Sequence, residues 1–266
     1  MTQKTFIAAF AFVLSLAGCA TAPPPQKPAL NDAFYYEKAL DLLKARNFVE
    51  AVPAFEELRE KFPLSPYAVL AELRLGEAHY QQDEFVEASH YFENFRRLHP
   101  SNPQVPYSIY MTGMCHYQQI LSADRDQTFA EAAVEQFQQL VELYPRSPYA
   151  GPALCKIAEA KKRLAEHEFF VGSFYLRTKN YAGAIERFNN ALRRYPHHIE
   201  QDRVLLMIAE ATQKSGDDLR ARIILEYLIK NYPDSPYAQQ AKARLSAPAV
   251  SAASKKNEGG EVNSGK

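Results

Sequence analysis

The sequence predicts an all-α fold in which five helical hairpins stack into a solenoid. Five prolines mark where helices end, because proline cannot donate a backbone hydrogen bond: Phe62-Pro63, His99-Pro100, Tyr144-Pro145, Tyr195-Pro196 and Tyr232-Pro233. One small residue, one large residue and one further apolar residue lie twelve, eight and five positions before these prolines: Ala51, Phe55, Leu58; Ala88, Phe92, Phe95; Ala133, Phe137, Leu140; Ala184, Phe188, Ala191; Ala221, Leu225, Leu228. The composition agrees, since 16 Tyr and 16 Phe against 10 Gly suit helices packed through aromatic side chains.

The segment 168–196 shows the repeated unit most clearly. Gly172 lies on one stripe of a first helix, while Ala184 and Phe188 lie on one stripe of a second helix that Pro196 ends. The small residues let the two helices approach, and Phe188 fills the gap between them. This is the spacing of a tetratricopeptide (TPR) helix pair. Successive stops lie 37, 45, 51 and 37 residues apart, so we predict a TPR solenoid of five helix-turn-helix repeats with longer connections before the third and fourth stops.

The N-terminal segment has the layout of a secretory signal. Lys4 precedes an apolar run, residues 6–16, that is too short to span a bilayer. The run leads into Leu16-Ala17-Gly18-Cys19, which resembles the lipobox of bacterial lipoproteins; the alternative is an ordinary buried cysteine beside a chance apolar run. The resemblance implies N-acyl and S-diacylglycerol groups on Cys19. Because Ala20 rather than Asp follows, it also implies a lipid anchor at the periplasmic face of the outer membrane.

We expect five segments along the chain: a lipoprotein signal peptide at 1–18, the acylated cysteine with a stiff Pro-rich tether at 19–31, an N-terminal TPR half at 32–121, a C-terminal TPR half at 122–245, and a disordered tail at 246–266. Pro53 falls inside the second helix of the first pair, where we expect a bend. Cys115 and Cys155 leave two possibilities open, a disulfide in an oxidising compartment or two small buried thiols.

Charge and motifs argue against nucleic acid and against catalysis. Lys plus Arg and Asp plus Glu each number 31, so no net charge draws the chain to nucleic acid. The stretch 260–266 has the spacing of a phosphate-binding loop but lacks the flanking strand and helix. His197 and His198 follow a proline stop, in a predicted loop with too few neighbouring ligands to hold a metal. We therefore predict a protein that is not an enzyme and has no cofactor besides its covalent lipid.

Stacked helical hairpins leave a concave groove lined by the first helix of each pair, and this groove is the candidate binding site. Its predicted wall is rich in aromatic residues: Tyr36 and Leu40, Leu73 and Tyr80, then Tyr110, Met114 and Tyr117, with Lys44 and Arg74 near the rim. Such a surface suits an extended segment that ends in an aromatic residue and a carboxylate. The alternative is that these rings only pack between helices.

Over nearly all of the mature chain, up to about residue 245, the sequence resembles the BamD (ComL) family of outer-membrane protein assembly lipoproteins. The resemblance is carried by the lipobox with five TPRs, by Asp124-Arg125-Asp126-Gln127 in the third-repeat insert, and by Arg163-Leu164-Ala165-Glu166-His167-Glu168 leading into Val171 and Phe174-Tyr175. The Ser-Pro-Tyr-Ala restarts also fit, but other periplasmic TPR proteins share them.

The resemblance implies a non-catalytic subunit of the β-barrel assembly (BAM) complex. The N-terminal half would receive the C-terminal targeting signal of unfolded outer-membrane β-barrel proteins, and the C-terminal half would dock the POTRA domains of BamA beside accessory Bam lipoproteins. By position, the resemblance implies signal contacts at Phe62 and Ser65 and partner docking at Asp124, Arg125 and Arg187. From the residues alone, Arg187 fits a solvated helix face as well.

Two other hypotheses stay open at this point. A periplasmic TPR lipoprotein that serves envelope maintenance, in Tol-Pal or peptidoglycan coordination or in secretin assembly, would share the anchor and the repeats. A hydrolase built on a helical scaffold would need a buried cluster of acids or nucleophiles in the groove, and the sequence shows no such cluster.

Overall fold

The structure is a computed structural model that describes residues 31–246, and this part of the chain contains eleven α-helices and no strand. The predicted signal peptide, the lipidated Cys19 and the tail beyond residue 246 lie outside the described residues. The helices are α1 (Asp32–Lys44), α2 (Phe48–Lys61), α3 (Pro66–Gln81), α4 (Phe85–Leu98), α5 (Val105–Gln118), α6 (Thr128–Leu143), α7 (Ala150–Arg177), α8 (Tyr181–Arg194), α9 (Gln201–Lys214), α10 (Asp218–Asn231) and α11 (Pro236–Ser246).

Ten of these helices form five hairpins, α1–α2, α3–α4, α5–α6, α7–α8 and α9–α10, and α11 packs against the last hairpin. The prediction of an all-α TPR solenoid is confirmed. All five sets of one small and two apolar residues are buried, and none of their side chains is more than 5% exposed. The longer interval that the sequence shows before the fourth stop contains the 28-residue α7. The division of the chain at residue 121 stays a prediction.

A glycine of the first helix meets a phenylalanine of the second in three of the hairpins. A Cβ added to Gly76 would lie 2.9 Å from the Phe92 ring, and one added to Gly172 would lie 2.7 Å from the Phe188 ring. Gly113 repeats the contact with Phe137 at 2.6 Å. Real Cβ atoms do not approach aromatic carbons so closely, so the helix spacing within these hairpins requires glycine.

The array curves with the first helices on the inside. First helices of successive pairs contact each other for α1 with α3, α5 with α7, and α7 with α9, while α5 reaches α3 through the hydrogen bond from Tyr107 to Glu77. Between residues 31 and 246, second helices do not contact one another to a similar extent. The helices α1, α3, α5, α7 and α9 therefore form an inner wall, which is the surface that a TPR solenoid offers to a polypeptide.

The Ser-Pro restarts tie neighbouring repeats together. Ser65 precedes α3, accepts a hydrogen bond from the Tyr67 amide at 3.0 Å, and donates one to Asp32 at the start of α1 at 2.6 Å. Ser235 does the same before α11, where it donates to Asp202 of α9 at 2.6 Å. Each serine therefore caps one helix and fixes the start of the preceding first helix against it.

Pro53 lies inside the second helix of the first hairpin. Helix α2 continues through the exposed Pro53 without interruption, and the expected bend stays a prediction.

Cys115 and Cys155 are not joined in a disulfide. Cys115 is buried, and burial raises the pKa of its thiol to about 12, whereas Cys155 is exposed on α7. The prediction of two buried thiols is wrong for Cys155, because only one stripe of α7 faces the core.

The glycine contact can be tested with Gly172→Ala and a matched control, Gly151→Ala, in the same helix. The Cβ added at residue 172 overlaps the buried Phe188 ring, so we expect a net loss of about 1–2 kcal/mol in the free energy of unfolding. A Cβ at residue 151 meets nothing within 4 Å, so we expect no loss there and a gain of up to about 1 kcal/mol from helix propensity. Urea unfolding followed by circular dichroism measures both. Equal effects would contradict the packing account.

Candidate functional site

A chain of hydrogen bonds crosses the inner wall from α1 through α3 to α5. The Arg74 guanidinium donates to the Tyr36 hydroxyl at 3.1 Å and to both carboxylate oxygens of Glu77 at 2.6 and 2.8 Å. The Tyr107 hydroxyl donates to the same carboxylate at 2.7 Å. Burial acts to lower the pKa of Arg74, but the bonds to Glu77 outweigh it and raise this pKa above its ordinary value. Arg74 is therefore positively charged, and its charge is paired with the Glu77 carboxylate within the wall.

Aromatic rings extend this wall along α5. Tyr110 stacks on Tyr149 with ring centroids 5.4 Å apart, and it also contacts Phe137. Tyr80 packs edge-on against Phe85, and its hydroxyl accepts a hydrogen bond from Gln118 at 2.9 Å. Both Tyr80 and Tyr110 are half-buried, so each offers part of its ring to a ligand.

The structure changes the assignment of several predicted wall residues. Tyr36 is 6% exposed and Leu73 is 3% exposed, so both side chains belong to the core and their predicted place in the groove wall is wrong. Tyr117 is half-buried, but the Lys156 ammonium lies 4.2 Å from the centre of its ring and its hydroxyl donates to Glu159. Tyr36 packs against Phe55 of α2 and Tyr67 of α3, and Leu73 belongs to the core cluster around Phe92.

The first proline stop offers a different kind of surface. Ser65, which the family resemblance assigns to signal contacts, is buried and used by the cap to Tyr67 and Asp32, so its hydroxyl is not available to a ligand. Phe62 is half-buried and lies 5.6 Å from the Tyr35 ring. Leu64 between them is 98% exposed. The equivalent position after the other stops holds a polar residue: Ser101, Arg146, His197 or Asp234.

The third-repeat insert is a folded loop that is hydrogen-bonded to α7. Gln127 donates to the carbonyl oxygens of Ser122 and Arg125, both at 2.9 Å. Asp126 accepts from the Thr128 amide at 3.0 Å, as expected for a residue that caps the start of α6, and hydrogen bonding to the Thr128 side chain and then to its amide keeps the pKa of Asp126 below the ordinary range. The loop is held to α7 by His167, whose Nδ1 donates to the Ala123 carbonyl at 2.7 Å. Asp124 and Arg125 are exposed at its tip.

Beside this loop, a buried carboxylate joins three helices. Glu168 of α7 has a side chain that is 8% exposed, and its carboxylate lies 3.4 Å from Arg187 and 3.9 Å from Arg194, both on α8. Arg194 also lies 3.6 Å from Glu131 on α6. A solvated helix face is therefore the wrong description of Arg187, because its guanidinium points at a buried carboxylate while 39% of its side chain stays exposed.

An apolar patch continues from this junction along α7. Phe170 and Phe174 are spaced one helical turn apart, and they are 41% and 47% exposed. His167, which holds the insert loop, lies one turn before Phe170 on the same helix face. We use the name α7 surface for the exposed loop tip at Asp124 and Arg125, which is attached to α7 through His167, together with the two exposed phenylalanines.

The inner wall extends into the C-terminal half through two neighbouring cavities. One, of about 420 Å³, is lined by Tyr117, Glu159 and Lys162. The other, of about 710 Å³, shares Glu159 and Lys162 and reaches Phe169 and Arg203, whose guanidinium lies 4.3 Å above the Phe169 ring. A groove that serves an extended polypeptide needs this kind of continuity along several repeats.

The part of the chain from residue 31 to residue 246 shows no group of three or more His, Cys, Asp or Glu side chains that could hold a metal ion. Within the same range, no helix combines the length and the apolar character needed to cross a bilayer.

Three members of the inner wall were missed at the sequence level: Glu77, Tyr107 and Tyr149. The spacing of Arg74 and Glu77, three residues apart in a predicted helix, does signal an ion pair. Tyr107 and Tyr149 carry no such signal, because their contacts join residues that are 30 to 42 positions apart.

Together, these features define a TPR-type scaffold with an inner wall suited to extended polypeptides. The chain belongs to the YfiO family of outer membrane lipoproteins, whose family model matches residues 28–223.

Three relatives are named outer membrane protein assembly factor BamD. The protein from Caulobacter vibrioides is 30% identical over 85% of this chain and 75% of its own length. The one from Neisseria meningitidis serogroup A is 28% identical over 90% and 95%, and the one from Vibrio cholerae is 29% identical over 76% and 87%. These relatives are assembly factors, in agreement with the prediction of a non-catalytic protein.

Among solved structures, the TPR2AB domain of yeast Sti1 in complex with an Hsp90 peptide aligns at 17% identity with a TM-score of 0.43, over 80% of this chain and 82% of that chain. The fold assignment comes from the five helical pairs themselves.

Proposed function

We propose that the protein is a non-catalytic, lipid-anchored subunit of the outer-membrane β-barrel assembly complex. Its inner wall receives the C-terminal targeting signal of unfolded outer-membrane proteins, and its α7 surface docks the POTRA domains of BamA. The observation that carries the proposal is the inner wall formed by α1, α3, α5, α7 and α9, which presents the partly exposed rings of Tyr80 and Tyr110 beside the paired charges of Arg74 and Glu77. The BamD names of the relatives support the assembly role.

The inner wall suits a transient peptide ligand. Tyr80 and Tyr110 present partly exposed rings against which an aromatic side chain can pack. The polar chain through Arg74 and Glu77 has its charges paired, so it adds hydrogen-bonding capacity without a large desolvation cost. A shallow site of this kind binds in the micromolar range or more weakly, which suits a step in which the substrate is passed on.

The α7 surface suits a folded partner. Phe170 and Phe174 supply apolar area, and Asp124 and Arg125 at the loop tip supply charges of both signs. Interfaces commonly combine an aromatic centre with a polar rim in this way. Arg187 contributes from behind this surface, because its pairing with Glu168 fixes α8 against α7 next to the loop. Accessory lipoproteins of the complex would bind elsewhere on the C-terminal half.

The anchor belongs to the proposal as well. Cys19 would carry the acyl groups, and a tether of about twelve residues would let the folded part reach roughly 37 Å from the bilayer if it is extended as polyproline II. Two or more acyl chains give stable membrane attachment, which one chain does not.

Binding of the signal can be measured by fluorescence anisotropy with the full chain in detergent and a labelled peptide ending in an aromatic residue. We expect micromolar or weaker affinity, and we expect Tyr80→Ala with Tyr110→Ala to reduce it at least tenfold, since each aromatic contact contributes about 1 kcal/mol. Tyr227→Ala removes a tyrosine that is 53% exposed on the second helix α10 and serves as the matched control. If Tyr227→Ala lowers the peptide affinity as much as the double variant does, the inner wall is not the binding site.

Docking can be measured by co-purification from detergent-solubilised membranes. Phe170→Asp with Phe174→Asp places two charges on the apolar patch, so we expect at least a tenfold lower yield of the POTRA-bearing barrel subunit. Val86→Asp, at a position 62% exposed on α4, controls for added surface charge. Unchanged recovery with the double variant would exclude this surface, and recovery of peptidoglycan enzymes alone would reject the proposed function.

A further inference from the structure

A pocket of about 580 Å³ lies at the N-terminal end of the inner wall, between α1 and α3. Its lining combines apolar and cationic side chains, among them Leu40, Leu43, Lys44, Arg46, Arg74 and Glu77. Three of these six are cations and one is a carboxylate. Gln81 also lines the pocket and adds an amide that can donate.

The three cationic side chains differ in how strongly they are paired with acidic groups. Arg74 is occupied by both oxygens of Glu77 and by the Tyr36 hydroxyl. Lys44 lies 3.7 Å from Asp41, but both side chains are more than 60% exposed, so this contact is weak and easily exchanged. Arg46 takes part in none of the ion pairs formed between residues 31 and 246. Two cations are therefore available to a ligand.

The backbone holds Arg46 in an unusual position. It occupies the turn between α1 and α2 with φ of 58°, in the left-handed region, and its guanidinium lies 5.8 Å from the centre of the Phe48 ring. The same turn position holds Asp83 in the second repeat, Lys179 in the fourth and Gly216 in the fifth. Of these four turn residues, only Arg46 lines the pocket.

We propose that this pocket binds the free C-terminal carboxylate of an extended polypeptide lying on the inner wall. Arg46 and Lys44 are the cationic partners, and Gln81 is the amide donor. Leu40 and Leu43 form the apolar side of the pocket, against which the last side chain of the polypeptide packs. The inference rests on the proposed function, in which such a segment occupies the wall.

The charge balance favours a carboxylate over a more highly charged group. Lys44, Arg46 and Arg74 face Glu77 inside the pocket and Asp41 at its edge. The local excess is therefore about one positive charge, which matches a single carboxylate and falls short of a phosphate dianion. Because Arg46 and Lys44 are exposed, the attraction is moderate and weakens as salt concentration rises.

The test compares two peptides that have the same sequence and the same C-terminal aromatic residue, one with a free carboxylate and one with a carboxamide. Anisotropy titrations use the full chain in detergent at low salt. We expect the carboxylate peptide to bind five- to tenfold more tightly to the natural protein. Lys44→Gln with Arg46→Gln should abolish this preference while leaving the affinity for the carboxamide peptide unchanged. Lys179→Gln changes a lysine at the equivalent turn position of the fourth repeat and should keep the preference.

The outcomes separate this inference from the proposed function. Equal affinity of the two peptides for the natural protein overturns the carboxylate pocket, while the binding itself still supports the inner wall. A preference that persists in the double variant also overturns it, because another cation then binds the carboxylate. If neither peptide binds, the proposed function fails and the pocket fails with it. Both substituted side chains are exposed, and circular dichroism verifies that the double variant is folded.

Discussion

The close approach of two helices over a glycine is the constraint on which the structure depends. In the second, third and fourth hairpins, a phenylalanine ring of the second helix covers the glycine of the first at distances that no Cβ can share. This contact sets the spacing within these three hairpins and the rotation of the two helices in each. The rotation decides which residues of the first helix face the core and which face the inner wall.

The packing of the first helices decides the character of the inner wall. Tyr36 is buried against Phe55 and Tyr67, and Leu73 belongs to the core cluster around Phe92, so the surface is left to Tyr80 and Tyr110 and to the paired charges of Arg74 and Glu77. In the proposed function, such a wall would hold a polypeptide loosely, mainly through aromatic contacts. Lys44 and Arg46 lie at one end of the wall, where the proposed carboxylate pocket would give the bound chain a direction.

The helix α7 packs against both of its neighbours in the chain. Its first half packs against α6 and its second half against α8, and with 28 residues it is about twice as long as its neighbours. Glu168 lies in its second half, where one carboxylate contacts two arginines of α8, and Arg194 reaches on to α6. The insert loop is attached to the same helix through His167. The proposed docking surface is thus built on a rigid element that also lines the inner wall.

The repeats could be predicted from the sequence because their signals are local. A proline stop and a small residue twelve positions earlier specify one hairpin without reference to the rest of the chain. The exposure of individual side chains was harder to predict, because it depends on how one helix or hairpin packs against the next. The family resemblance assigned Ser65 to contacts with the targeting signal, but its hydroxyl donates a hydrogen bond to Asp32 of the preceding repeat. Arg187 looked solvated because its partner, Glu168, lies across the hairpin.

Photo-crosslinking in intact cells tests most directly whether the inner wall receives unfolded outer-membrane proteins. A photoreactive amino acid replaces either Gln81, exposed at the inner wall, or Val86, exposed on the second helix of the same hairpin. Crosslinks to unfolded β-barrel proteins from position 81 and their absence from position 86 are the predicted result. Equal crosslinking from both positions, or crosslinking from position 86 alone, would contradict a binding site on the inner wall.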